Sequence, residues 1–418
     1  MTELTEIPLG GPEYFADPYP FYAQLREHHP ICRHPMVKGV VVSRYADIDA
    51  ILKDSRFSAG RLKPLFARLP EDLQYRFRPL FDALALWILL LDPPEHTSRR
   101  QLIAKAFTPR LIKAMRPRIR ALVDELLDDA IARGHLDLIG DLAYPLPAIV
   151  IAEMMGALRA DRDRIKRWSD DLAAFLGMPH LDVARVARAQ ESLVALTDYF
   201  RPLMQARREA VARGTYDPGS GDLMGELVMA QEAGAALSDE TLLATCVMLV
   251  FAGHETTTHL IANGMRALLM HPAERDRLLA RPELMESAVE EMLRFDSPIQ
   301  RLSRTCTEDL EFRGHSIRKG ERVFLLIGSA NRDAAQFPEP DRFDVGRRDN
   351  RHLSFGSGMH YCVGAALGRL EAQVAFGALF DRLPGLALTG QPLSWQDNVG
   401  LRAMKELPLS FVHERHRV

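Results

Sequence analysis

The residues best equipped for chemistry lie in Phe355-Gly356-Ser357-Gly358-Met359-His360-Tyr361-Cys362-Val363-Gly364, a glycine-punctuated loop delivering one cysteine to an apolar helix. Gly356 and Gly358 let the backbone turn tightly and approach a flat object, since residues without a Cβ tolerate positive φ and near contact. The periodicity predicts a helix from about Tyr361 to Arg382, with Cys362 at its start. Unpaired N–H groups and the positive dipole end there favour thiolate over thiol, the state that ligates a metal. A buried apolar cysteine would not need the three glycines around it.

Phe-Gly-x-Gly-x-His-x-Cys-x-Gly resembles the cysteine loop of the cytochrome P-450 haem-thiolate monooxygenases. The resemblance implies that Cys362 ligates the iron of haem b and that Phe355, His360 and Gly364 line the cofactor. It extends from about Asp17-Pro18-Tyr19-Pro20 to the last strands, essentially the whole chain.

A second unusual stretch lies in the longest apolar helix, expected to begin at Ser238, with Asp239 and Glu240 in the first turn where the dipole favours acids, and to run past Ala262. There Leu249-Val250-Phe251 gives way to Ala252-Gly253-His254-Glu255-Thr256-Thr257-Thr258. Small residues followed by an acid and hydroxyls leave room inside the core, and Thr256 can bond back to a carbonyl one turn earlier. A helix–helix close approach at Ala252-Gly253, with Glu255 paired to a base, accounts for the same residues. The resemblance assigns Ala252 and Gly253 to the dioxygen pocket, and Glu255 and Thr256 to proton delivery. A zinc-protease reading of His254 and His259 fails on spacing: residues four apart diverge by about 40° around a helix, residues five apart by about 140°. His259 reads as an ordinary, partly buried histidine.

Four cations are candidates for holding the cofactor's propionates. His96 and Arg100 follow Asp92-Pro93-Pro94-Glu95 and, four apart, share a helix face. The family pattern Asp-Pro-Pro-Glu-His-Thr-x-x-Arg matches, although Arg99 stands where an apolar residue is expected. Arg304 resembles the arginine leading the family's post-helix strand, and His360 is the fourth. Glu291 and Arg294, three apart, are able to pair on one face. With the segment from Asn331 to Phe343 they resemble a structural triad whose second arginine is Arg342 or Arg347.

These residues need a scaffold, and the 418-residue chain can supply one. Its 47% hydrophobic and 26% charged content is that of a globular protein, and the net charge of −3 argues against nucleic-acid binding. Cys32, Cys246, Cys306 and Cys362 stand too far apart for a zinc or iron–sulfur cage or a disulfide framework. Met1–Tyr22 lacks a basic-then-apolar pattern, so no secretory peptide or membrane anchor is expected, and the apolar runs Ala83–Leu91 and Val247–Gly253 fall short of the roughly 20 residues that cross a bilayer. A cytoplasmic protein is expected. Helical periodicity covers Leu111–Arg133, Asp182–Arg213 and Pro282–Arg294, while Val40–Ser43, Arg322–Ile327, Leu310–Ile317 and Leu407–Val412 read as extended. The expected fold is mainly α with small β-sheets: one large cytochrome P-450-like domain over 1–418, enclosing haem between the long central helix and the cysteine loop.

The resemblance implies insertion of one atom of O2 into a lipophilic small molecule, a terpenoid, fatty acid or polyketide type. A thiolate opposite bound oxygen favours O–O cleavage. No flavin, nicotinamide or iron–sulfur segment is read in the sequence, so electrons are expected from outside, and the resemblance to soluble bacterial members implies a ferredoxin or flavodoxin with its reductase, drawing on NAD(P)H. Arg110, Lys113 and Arg116 are candidate docking contacts. Segments Ala59–Trp87 and Trp168–Tyr199 would contact substrate through Leu62, Leu65, Phe66, Phe81, Leu84, Leu86, Trp87, Phe175 and Leu176, residues that core packing would equally explain. A peroxide-driven peroxygenase is the alternative within haem chemistry, disfavoured by the Glu255-Thr256 pair. A non-catalytic haem sensor or carrier is the alternative outside it.

Overall fold

The structure, a computed structural model, describes residues 7–67, 69–177, 182–233 and 238–412, with the side chains of Lys63 and Leu65 outside the description. The helices that matter for the site are α1 (Glu71–Leu84), α2 (Glu95–Ala106), α3 (Arg116–Arg133), α4 (Arg162–Leu176), α5 (Val183–Ala212), α6 (Asp239–Met270), α7 (Met285–Phe295) and α8 (Ala365–Arg382). The chain divides into two compact units. One comprises Met1–Phe57, Arg116–Leu146 and Thr256–Val418, the other Ser58–Met115 and Pro147–Glu255. The division falls within α6, between Glu255 and Thr256.

In the first unit, β1 (Ile31–His34), β2 (Gly39–Val42), β3 (Arg301–Cys306) and β4 (Arg322–Leu326) are four neighbouring strands of a five-stranded sheet, in the order β1-β2-β4-β3. β2 runs parallel to β4, with Val40 opposite Val323 and Val42 opposite Leu325; the other pairings are antiparallel. Alternate side chains face opposite ways along a strand. Val40, Val42, Val323 and Leu325 accordingly pack on Ile48 and Ile51, while Val41, Phe324 and Leu326 pack on Tyr22 and Leu25. Burial on both faces explains why these strands read as unbroken apolar runs. Leu310–Phe312 with His315–Ile317 makes a hairpin, and Pro408–Ser410 pairs with Leu136–Asp137 and Ala387–Leu388.

Three expected helices differ at their starts. The Leu111–Arg133 segment splits into Pro109–Ala114 and α3, because Pro117 has no N–H to donate and crowds the carbonyl four residues back. Pro282–Leu284 is a 3₁₀ turn leading into α7. The cysteine helix begins at Ala365, not near Tyr361: Gly358–His360 is a 3₁₀ turn, after which Tyr361 is extended at φ −51, ψ 135. α6 opens as its acids imply, with the Ser238 hydroxyl accepting from the Thr241 N–H at 3.2 Å.

Candidate functional site

In the first unit, Gly356 (φ +74) and Gly358 (φ +67) both adopt the left-handed backbone that favours glycine. Gly358 is doubly constrained, since a Cβ there would lie 2.9 Å from the Leu52 carbonyl oxygen. The Cys362 N–H donates to the Phe355 carbonyl at 2.9 Å, closing the loop, and Ser357 ties it to Asp49 Oδ1 at 2.7 Å. Cys362 precedes α8 by three residues. A Cβ on Gly364, the residue capping α8, would stand 3.9 Å from the Cys362 sulfur. Cys32, Cys246 and Cys306 are buried and Cys362 alone is exposed. Burial pushes the Cys32 thiol up to about 11 and the Cys246 thiol up to about 12, so neither is a thiolate at neutral pH. An exposed sulfur held by a glycine hairpin suits the thiolate ligand that a haem requires.

The loop rests on charged partners that sequence reasoning passed over. Arg369 of α8 lies over the Phe355 ring, 4.5 Å from its centroid, and grips Glu290 of α7 through both carboxylate oxygens at 2.6 and 2.8 Å. His352 completes this group: its Nδ1 accepts from the Ser354 N–H at 3.2 Å, which leaves Nε2 to donate to Glu290 at 3.2 Å. Burial alone would raise the Glu290 carboxyl, but the hydrogen bonds and charges of Arg369 and His352 outweigh it and hold the group down to about 2.

Glu291 and Arg294, both fully buried, form a two-pronged pair at 2.8 and 2.8 Å. The second guanidinium comes from Arg347, whose Nε donates to Glu291 at 3.1 and 3.2 Å. Arg342 offers only its carbonyl, which accepts from both Arg294 and Arg347, while its side chain pairs with exposed Glu339. The Asp344 N–H and Asn350 amide fill the remaining acceptor positions on Glu291. Arg304 lies in β3, 6% exposed, and His360 sits half-buried in the 3₁₀ turn.

In the second unit, Asp92 braces the start of α2 by accepting from the Ser58 hydroxyl and the Ala59 N–H. His96 on α2 is 1% exposed; burial, with Arg100 adding to it against Asp92, lowers its pKa and keeps the ring neutral. Arg99 donates to the Leu86 carbonyl at 2.7 Å, so a structural bond occupies the arginine that departs from the family pattern. Trp87 is fully buried against Phe251, with ring centroids 5.2 Å apart. Its indole N–H has no acceptor among the described residues, as expected of a donor awaiting a bound group. Phe66, Phe81 and Phe175 form a chain of ring contacts at 4.4 and 6.2 Å.

On α6, a Cβ at Gly253 would meet Ile151 at 3.2 Å, so a close helix approach does account for that glycine. Glu255 lies close to His254 and Asp170, with one ligand-type atom of each within 4.8 Å of the others. Its pKa is raised, first by burial, with Asp170 adding to the rise and His254 opposing it. In the first unit, Thr257 faces α8, 3.4 Å from where a Gly368 Cβ would be, beside the fully buried Glu371. Burial pushes the Glu371 carboxyl up to about 8, with the Thr257 hydroxyl acting in the opposite direction. No sequence signal singled out Glu371, because an acid within an apolar helix reads as a solvated position. His259 is buried at 4% exposure, more deeply than expected.

The sequence profile described as Cytochrome P450 matches residues 22–384. Cytochrome P450 CYP107DY1 of Priestia megaterium is 37% identical over 98% of this chain and 100% of its own length. Among solved structures, P450BioI in complex with hexadec-9Z-enoic acid ligated acyl carrier protein superposes with a TM-score of 0.86 at 36% identity, covering 96% of this chain and 100% of that one. Myxobacterial CYP267B1 in complex with myristic acid gives 0.84 at 40% identity, covering 97% and 99%. Likeness sustained over nearly every residue, and including the segment that carries the exposed sulfur, makes this chain a member of the cytochrome P450 family and a haem-dependent monooxygenase.

Proposed function

We propose that this monooxygenase acts on a long, flexible lipophilic guest, a fatty-acyl chain or a molecule of similar apolar length, using electrons from a ferredoxin or flavodoxin with its reductase. The family's cofactor, haem b, supplies oxygen activation and oxygen insertion when bound. The observation that carries the reading is Cys362, the one exposed cysteine of four, held in a glycine loop and backed by Arg369. Cys362 would ligate the iron, with Phe355 and Gly364 flanking the sulfur. His96, Arg100, Arg304 and His360 would hold the propionates, His96 as a hydrogen-bond donor rather than a cation because burial lowers its pKa. Ala252 and Gly253 would leave room beside the cofactor. Glu255 and Thr256 would hold and pass protons, a task suited to a carboxyl whose pKa burial has raised.

The acyl reading is supported by the phenylalanine chain Phe66, Phe81 and Phe175, and by two similar structures that hold fatty acids. Arg110, Lys113 and Arg116 are exposed and available to an acidic electron carrier. Among the described residues no helix is long and apolar enough to cross a membrane, and cytoplasmic residence fits such carriers. The test is reduction under carbon monoxide. The wild type should give the thiolate signature and Cys362→Ser should lose it. A signature that persists in the serine variant refutes the ligand assignment. Spectral titration with myristic acid tests the substrate class, and the absence of any shift at saturation rejects it.

A further inference from the structure

Asp170, His254 and Glu255 each place one ligand-type atom within 4.8 Å of the others, a grouping that neither cofactor binding nor substrate contact requires. Asp170 belongs to α4 and the other two to α6. Asp170 and Glu255 are half-buried and His254 is buried: the Asp170 side chain is 40% exposed, that of His254 only 2%. His254 Nδ1 lies 3.4 Å from the Val250 carbonyl and 3.3 Å from the Ser169 hydroxyl. The Val250 carbonyl can only accept and the Ser169 hydroxyl can donate, so Nδ1 has a partner in either protonation state. Nε2 faces Asp170 Oδ1, 3.5 Å away. Lys166 stands beyond Asp170 at 3.7 Å, and the helix Pro145–Met154 presents apolar Ile151 to Gly253. Charged groups near the imidazole include Asp170, with Lys166 behind it, and Glu255.

We propose that Asp170 and His254 form a proton inlet from solvent to Glu255. This inference rests on the monooxygenase reading, in which protons must reach the oxygen site during turnover. A proton taken up by the Asp170 carboxylate passes to the His254 ring, leaving a carboxylate and an imidazolium. The imidazolium gives that proton to the Glu255 carboxylate and returns to neutral. A gap of at most 4.8 Å is short enough for one bridging water, with legs of about 2.8 Å each. One proton enters at Asp170 for each that leaves Glu255, and no charge accumulates. A mere clamp between α4 and α6 would need no buried imidazole between two acids.

The test compares haem-loaded wild type, Asp170→Asn, Asp170→Glu and His254→Gln with NADH, a surrogate ferredoxin and its reductase, and myristic acid as probe. Asp170→Asn and His254→Gln should slow NADH-driven product formation about tenfold, below the roughly hundredfold that a positioned proton donor can contribute. Both should enlarge the rate ratio between H2O and D2O, and Asp170→Glu should recover most of the rate. Peroxide-driven conversion, in which the oxidant brings its own protons, should change less than twofold. Equal losses under both drives, or an Asp170→Asn variant matching wild type, overturns the inlet. A substrate-free readout is the carbon–oxygen stretch of the reduced, carbon-monoxide-bound protein. It should titrate with pH in wild type and lose that titration in both neutral variants, and a pH-independent stretch in wild type also overturns the proposal. Loss of the thiolate signature in wild type would instead refute the underlying monooxygenase reading.

Discussion

Glu371 offers the sharpest quantitative test of the packing around α6 and α8. Its carboxyl is 1% exposed and burial pushes it up to about 8, against about 4.3 in an unfolded chain. The native state therefore holds a proton that the unfolded state releases across this interval, and stability must fall as pH rises from about 4.3 to about 8, then level off. At about 1.4 kcal/mol per pKa unit, the loss relative to the fully protonated protein is about 1 kcal/mol at pH 5, about 4 at pH 7 and about 5 above pH 8. Glu371→Gln keeps the shape and removes the proton. Its advantage over wild type should be small at pH 5 and should grow by about 3 to 4 kcal/mol by pH 8. For a cooperative unit of this size the transition temperature moves by about 1 °C per kcal/mol, so calorimetry at fixed scan rate should show the two midpoints separating by about 3 to 4 °C between those pH values. Parallel curves for the two proteins would mean that Glu371 is ionised in the native state, and the reasoning from burial would be wrong.

Removing one partner of the Glu291–Arg294 pair leaves a buried charge uncompensated, so Arg294→Ala should cost about 3 to 5 kcal/mol in chemical unfolding. Arg347→Ala should destabilise clearly because its guanidinium is committed to Glu291, whereas Arg342→Ala, whose side chain reaches only exposed Glu339, should stay within about 0.5 kcal/mol of wild type. Glu290 works in the opposite pH direction from Glu371: its depressed pKa contributes stability above about pH 4.3 that is lost as pH falls toward 2, and Glu290→Gln should flatten the acid limb of the unfolding curve. Gly358→Ala should impair haem retention more than Gly356→Ala. Both demand positive φ, but a Cβ at Gly358 also meets the Leu52 carbonyl at 2.9 Å while one at Gly356 has 3.6 Å to its nearest neighbour. Haem content after purification reads this difference directly.

What could be read in the chain beforehand follows from the range of the forces involved. Strands β2 and β4, the bounds of α5 and the start of α6 depend on local periodicity and capping, and the sequence pattern located them within a residue or so. The break before α3 was legible in Pro117, but helical periodicity across Leu111–Arg133 concealed it. The late start of α8 was hidden because Tyr361 to Gly364 are compatible with helix, and the 3₁₀ turn that carries the chain past them is set by loop closure through Phe355. Long-range pairs were the least accessible. The choice of Arg347 over Arg342 depends on which guanidinium reaches a carboxylate 56 residues away in sequence, and Arg342 was equally suitable by type and position. Glu290, His352 and Arg369 were missed for the same reason: each reads alone as a surface charge, and only the fold brings them beneath Phe355. Glycine loops and Glu-x-x-Arg spacings announce themselves because their constraints are local. A buried acid such as Glu371, or an aspartate on α4 meeting a histidine 84 residues later, becomes visible only once the helices are packed, and such meetings are where chemistry particular to this chain is to be sought.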